Sequence, residues 1–365
     1  MMSKEIEYKD LIAFHPGSYV EEIVEELNIT QAEFAKRLEI SPKTVSKIIS
    51  GEDDISPSTA NKLARLTGIS MQTWLNLQAK YDAKVQEIKN AKNDDEKRAC
   101  EFINLRYLKD NHFIEDKRYP IDEKRQKLRE LLKLANLSQL FEFNAAVSYR
   151  RSRTENDEKS ILLSNVMLEL AVNNARNVTT NKYRKTKLVQ LLPTIRKMNV
   201  QDPQDFYPKL KKLLLDCGIV LIALPQMPGA RLNGATKKFK NGSVLLMITD
   251  RNKSADIFWF SLIHEIGHIY YEDFYSDYDD QAQYEKKEQA ADKFASEFFI
   301  PYQDYEAFKN EGVYTESSIK QFATKLNILP GMVVGRLQLD KLVGYDSFNY
   351  LKSKYEIVFN SKNFS

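Results

Sequence analysis

Phe258-Trp259-Phe260-Ser261-Leu262-Ile263-His264-Glu265-Ile266-Gly267-His268-Ile269-Tyr270-Tyr271 reads as an amphipathic helix without proline and with one glycine, Gly267. At about 1.5 Å of rise per residue, His264 and His268 stand one turn apart on one face, about 6 Å apart along the axis. Two imidazoles can then converge on one ion, with Glu265 beside the open coordination position. This is the H-E-x-x-H pattern: two nitrogen ligands for zinc and a carboxylate general base for the water it activates. The chain has four histidines, and two of them are here. The competing reading is a pair of helix-face histidines that pack or meet solvent, with Glu265 a surface charge. The flanks argue against it, because Ile263, Ile266, Ile269 and the Phe-Trp-Phe lead-in would bury the helix and hold it rigid.

A tetrahedral catalytic zinc takes three protein ligands and leaves the fourth position to water. The next helical stretch, Tyr284 to Phe299, spaces Glu288 and Asp292 one turn apart, and Ala291, Phe294 and Ala295 let a second helix approach. Glu288 is the expected third ligand. Asp292 is placed to accept a hydrogen bond from the far nitrogen of a ligand histidine, fixing its tautomer. Alternatively both acids belong to a solvated face with Glu285, Lys286 and Lys287; Glu285 is the fallback ligand, but has no acid one turn downstream.

The His-Glu-Ile-Gly-His helix, the Glu288-x-x-x-Asp292 helix, Phe294-Ala295 and the closing Phe299-Ile300-Pro301 resemble the ImmA/IrrE family of metallopeptidases. That family usually has Asn where Asp292 stands, and either residue can accept the hydrogen bond. Gly234-Ala235-Thr236 followed by Val244-Leu245-Leu246-Met247-Ile248 is similar to the family's short sheet before the zinc helix. The resemblance implies an α+β, zincin-like domain holding one zinc ion: a gluzincin-like endopeptidase that often acts on a regulatory protein.

Length and composition bound the rest. With 365 residues, 42% hydrophobic and 29% charged, the chain suits a soluble protein of two or three domains. No apolar run approaches a membrane span, and Met1 to Glu7 lacks a signal-peptide core, so a cytoplasmic protein without membrane partners is expected. Cys100 and Cys217 are too few for a disulfide framework and fit a reducing compartment. A net charge of +3 does not argue for nucleic-acid binding by itself.

Local arrangement does argue for it. Tyr19 to Leu27 spaces Val20, Ile23, Val24 and Leu27 as one helical face. Thr30 is an N-cap with Glu33 three residues on, Ser41 caps a helix with Pro42 in its first turn, and Gly51 ends it. Two short helices joined tightly, with small Ala35 at the crossing, make a helix-turn-helix. Its second helix turns Val45, Ile48 and Ile49 inward and offers Lys43, Thr44, Ser46 and Lys47 to a DNA operator in the major groove. The acidic face of helix one, Glu21-Glu22 and Glu25-Glu26, must point away from phosphates. His15-Pro16-Gly17, Gln31-Ala32-Glu33-Phe34-Ala35, Ser56-x-x-x-Ala60-x-x-Leu63-Ala64 and Trp74-Leu75-Asn76-Leu77-Gln78-x-x-Tyr81-Asp82 resemble the HigA-type antitoxins of the Cro/repressor class. His15 reads as a structural or capping residue.

The expected organisation is multidomain: an all-α helix-turn-helix domain at 1–82, a helical connector or bundle at 83–205, the metallopeptidase domain at 206–310 and a helical closing segment at 311–365. The basic run Arg150-Arg151-Ser152-Arg153 reads as surface or interface before nucleic-acid contact. Tyr270, Tyr271 and Arg231 are candidates to stabilise an oxyanion, and spacing selects none of them. Two functions fit: a DNA-binding regulator whose peptidase domain cuts a repressor or a toxin-system partner, or an antitoxin-like autorepressor whose metal is structural or sensory. A homodimer is compatible with either.

Overall fold

The computed structural model describes residues 5–142, 157–274 and 281–358. The chain divides into two compact units, Met1–Arg98 and Ala99–Ser365.

The first unit opens with a hairpin of β1 (Glu5–Tyr8) and β2 (Leu11–Phe14), closed by a turn at Lys9, whose φ is 53°. Then come α1 (Gly17–Glu26), α2 (Gln31–Arg37), α3 (Pro42–Ser50), α4 (Pro57–Thr67) and the long α5 (Met71–Phe102). The start signals act as read: Thr30 Oγ1 accepts from Glu33 N at 3.2 Å and Ser41 Oγ from Thr44 N at 3.0 Å. Gly51 closes α3 at φ 77°, a left-handed conformation that glycine adopts without penalty. Phe34, Ala35, Val45, Ile48, Leu63 and Trp74 form the core, each at most 2% exposed. Helix α5 runs past residue 82, where a boundary was expected, and the compact unit reaches Arg98. Tyr8, Ala13 and Ile88 cluster along it, and the Tyr8 hydroxyl donates to Asp95 Oδ2 at 2.6 Å.

The second unit holds α6 (Leu105–Asp110), α7 (Ile121–Leu132), α8 (Asp157–Ala175), α9 (Lys185–Met198) and α10 (Pro203–Asp216), then β3 (Ile219–Leu224), β4 (Gly234–Lys238) and β5 (Val244–Thr249). After the sheet come α11 (Ala255–Tyr271), α12 (Gln281–Phe299), α13 (Tyr302–Glu311), α14 (Glu316–Leu326) and α15 (Pro330–Leu339). The strand order is β3-β5-β4, with β5 parallel to β3 and antiparallel to β4.

Every residue of β3 and β5 is buried, so both faces of the sheet need a cover. Leu221, Leu246 and Ile248 enter a core with residues of α9 to α15, while Ile222, Leu245 and Met247 enter another with residues of α6, α7 and α8. Within 83–205, α6, α7 and α8 pack in the core on one face of the sheet and α9 joins the core on the other. Helices α14 and α15, placed in a closing segment by sequence, belong to that same core. Arg150 to Arg153 lie outside the described residues. No described helix is long and apolar enough to cross a membrane.

Candidate metal centre

Helix α11 is buried along most of its length, with Trp259, Leu262, Ile263, Ile266 and Ile269 all at 0% exposure. Its partner α12 comes close because both contact residues are small. A Cβ on Gly267 would lie 3.3 Å from the Ala291 Cα and from the Phe294 ring, tighter than a side chain tolerates without adjustment. That approach brings His264 and His268 to Glu288. The two Nε2 atoms are 3.0 Å apart, and Glu288 reaches His264 Nε2 at 3.5 Å and His268 Nε2 at 3.3 Å. Asp292 Oδ1 lies 3.0 Å from His264 Nδ1, the far side of that ring. Glu285 is exposed and stands outside the cluster.

The donor set fits a small cation. With bonds of about 2.0–2.2 Å in a tetrahedral zinc site, ligand atoms stand about 3.3–3.6 Å apart, close to the separations here. Two imidazole Nε2 atoms at 3.0 Å repel unless a proton or a cation lies between them. Burial disfavours the charged form of His264, but hydrogen bonds to Asp292 and Glu288 outweigh it and raise the imidazole to about 10. Burial holds His268 below its ordinary value. Glu288 is driven well below the usual carboxylate range, because bonds to both histidines overcome its desolvation. The cluster thus takes up positive charge, and protons and metal compete for it.

Glu265 is 2% exposed, and burial pushes its carboxyl up to about 8. Among the described residues its Oε2 has no hydrogen-bond partner. It lies against the start of β4, where a Cβ on Gly234 would come within 2.6 Å of Glu265 Cγ. Gly234 is a site residue that sequence reading placed only in the sheet. Both residues line a cavity of about 800 Å³ together with His264, Glu288, Asp292 and Phe260. Of the suggested oxyanion donors, Arg231 lines this cavity; Tyr270 and Tyr271 do not, Tyr270 being stacked on Phe294 at 5.2 Å.

In the first unit, Lys43 and Ser46 are exposed on α3. Thr44 is half-buried, its hydroxyl 2.8 Å from Ser41 Oγ, so it serves the helix cap. Lys47 Nζ pairs with Asp53 at 3.3 Å. His15 is fully buried, and its Nδ1 accepts from Gly17 N at 3.0 Å, a structural role.

Two family models match the chain: helix-turn-helix over residues 20–74 and IrrE N-terminal-like domain over residues 217–338. An uncharacterized HTH-type transcriptional regulator, YddM of Escherichia coli (strain K12), is 43% identical over 63 residues, 17% of this chain and 67% of that protein. Virulence-associated protein I of Dichelobacter nodosus is 34% identical over 79 residues, 21% of this chain and 73% of that protein. The chain belongs to the helix-turn-helix family and carries an IrrE N-terminal-like domain. A solved addiction module antidote protein of a HigA family from Coxiella burnetii is 34% identical and covers 22% of this chain and 89% of its own, with a TM-score of 0.21. The IrrE N-terminal-like domain begins beside β3 and ends in α15, so it contains the whole histidine–carboxylate cluster. Helices α6 to α10, which help cover its sheet, precede it.

Proposed function

We propose that the IrrE N-terminal-like domain is a zinc-dependent endopeptidase attached to a DNA-binding regulator, and that it cuts a regulatory protein, either a repressor or a toxin–antitoxin partner. The observation that carries this reading is Glu265: a carboxylate buried beside the His264–His268–Glu288 cluster, with an unpartnered oxygen and a cavity in front of it. A purely structural metal site needs no such base.

One zinc ion held by His264, His268 and Glu288 would supply a Lewis acid for the peptide carbonyl and acidity for a water molecule. Glu265 takes the proton that water gives up and delivers it to the leaving nitrogen. Its burial keeps bulk water away, so the proton is not lost to solvent between the two transfers. Asp292 holds the His264 ring with Nε2 toward the cluster. Glu265→Gln is expected to keep zinc and abolish cleavage, and the same variant serves as a trap to capture the substrate; full cleavage by the purified variant refutes the reading.

In the first unit, α3 would enter the major groove, with Lys43 and Ser46 the accessible contacts, and Thr44 and Lys47 contributing through the cap and the phosphate flank. A homodimer would present two such helices to a paired operator. The HTH-type regulator matched by this unit favours a second reading, an autorepressor whose metal is structural or sensory. It forecasts zinc binding without cleavage, and the Glu265→Gln comparison separates the two.

A further inference from the structure

The cavity that holds His264 and Glu265 is also lined by two guanidinium side chains, Arg231 and Arg251. The end of the β4–β5 ladder brings their segments to one cavity. Gly234 pairs with Ile248 across the β4–β5 ladder, and Thr249 N donates to Asn233 O at 2.8 Å, one step past the strand. Arg231 lies three residues before Gly234, and Arg251 opens a short 3-10 turn (Arg251–Lys253) two residues beyond Thr249, so both flank the same end of the ladder and line one cavity.

Other cations of this cavity are neutralised within the chain. Arg336 Nε is 3.1 Å from Asp340, and Lys352 Nζ is 2.8 Å from Asp256. Among the described residues, Arg231 and Arg251 have no such carboxylate. Asp250, next to Arg251, is already occupied: Oδ1 accepts from Gln226 N at 2.7 Å and Oδ2 from Ile357 N at 3.0 Å. Burial, and after it the charge of Arg231, hold the Arg251 guanidinium below its ordinary value. Like charges facing one cavity without a counter-charge form half of an anion site, and planar guanidiniums grip carboxylates through paired hydrogen bonds.

We propose that Arg231 and Arg251 form a carboxylate-binding subsite of the cleft, which takes an acidic side chain or a free C-terminus of the peptide. Gly234 lies against Glu265, and Arg231, three residues before it, lines the same cavity. This assignment of substrate class rests on the endopeptidase reading; carboxylate binding itself does not.

The test uses the full zinc-loaded chain carrying Glu265→Gln and three pools of fluorescent random octapeptides. One pool has a central Glu and an amidated end, one a central Gln and an amidated end, and one a central Gln and a free C-terminal carboxylate. The Glu pool or the free-carboxylate pool should bind at least about tenfold tighter than the neutral pool, and whichever does so identifies the source of the carboxylate. The preference should vanish in R231Q/R251Q and persist in part in R231K/R251K, which keeps the charge. Equal binding of all pools, a preference unchanged in R231Q/R251Q, or arginine-dependent binding of a short DNA duplex with no acidic-peptide preference overturns the proposal. Cleavage is then read on the chain with Glu265 intact. Binding preference without cutting sinks the peptidase reading and leaves the subsite standing; cutting without preference sinks the subsite alone.

Discussion

Asp292 Oδ1 stands 3.0 Å from His264 Nδ1, so the acid one turn beyond Glu288 sits against the ring whose other nitrogen faces His268. Replacing Asp292 with Ala should weaken zinc binding about 10–100-fold, the usual effect of losing such a support. Asp292→Asn, which keeps an acceptor, should lose much less. Competition against a zinc-binding dye measures both.

Gly234 is where the sheet touches the proposed base. In Gly234→Ala the new methyl would fall within 2.6 Å of Glu265 Cγ, forcing that side chain to move. Cleavage should drop at least about tenfold while zinc affinity stays close to that of the parent chain. A loss of zinc in parallel with activity would mean that Gly234 serves the fold and not the base.

The two-faced sheet gives a paired stability test. Leu245 and Leu246 are neighbours in β5, both 0% exposed, and face opposite cores. Each Leu→Ala change should destabilise the second unit by about 2–5 kcal/mol, measured by urea unfolding. A mild effect at Leu245 alone would mean that α6, α7 and α8 add little to the sheet.

How much of this was legible varied with the range of the interaction. The His264–His268 helix, the Glu288–Asp292 helix and the capped α2–α3 pair show themselves through local spacing, because one-turn neighbours are fixed by helix geometry alone. Gly267 could be read only as a tolerated glycine until Ala291 was seen opposite it. The place of 83–205 beside the sheet is not legible in sequence: β3 and β5 are apolar on both faces, which says that two covers are needed and not which helices supply them. The β1–β2 hairpin escaped notice, four residues per strand being too few for alternation to stand out. Arg231 and Arg251 are distant in sequence, and only the pairing of β4 with β5 brings their segments to one cavity.

On α3, Lys43 is exposed whereas Lys47 is tied to Asp53. Each lysine that meets a phosphate should lower the steepness of the salt dependence by about one when changed to Ala. Lys43→Ala should therefore flatten the dependence in gel shifts with the chain's own promoter region, and Lys47→Ala should do so less. Binding untouched by the double change would remove α3 from the DNA contact.

Asp95 supplies a pH test in the first unit. Burial raises its pKa, but bonds from Lys9 and Tyr8 outweigh burial and leave it lowered in the fold. A depressed folded pKa stabilises above the unfolded carboxyl value of about 4 and ceases to do so as pH falls through the folded value. Asp95→Asn should therefore be destabilising at pH 7 and lose that difference below about pH 4. A difference constant from pH 7 to pH 3 would show that charge plays no part.

The central claim is that one cation sits among His264, His268 and Glu288 with Glu265 beside it and not bound to it. Zinc titration of the full chain and of four single variants tests it most directly. One zinc per chain is expected, with affinity falling at least about tenfold in His264→Ala, His268→Ala and Glu288→Ala and holding steady in Glu265→Gln. Full zinc affinity in Glu288→Ala, or its loss in Glu265→Gln, would contradict the account.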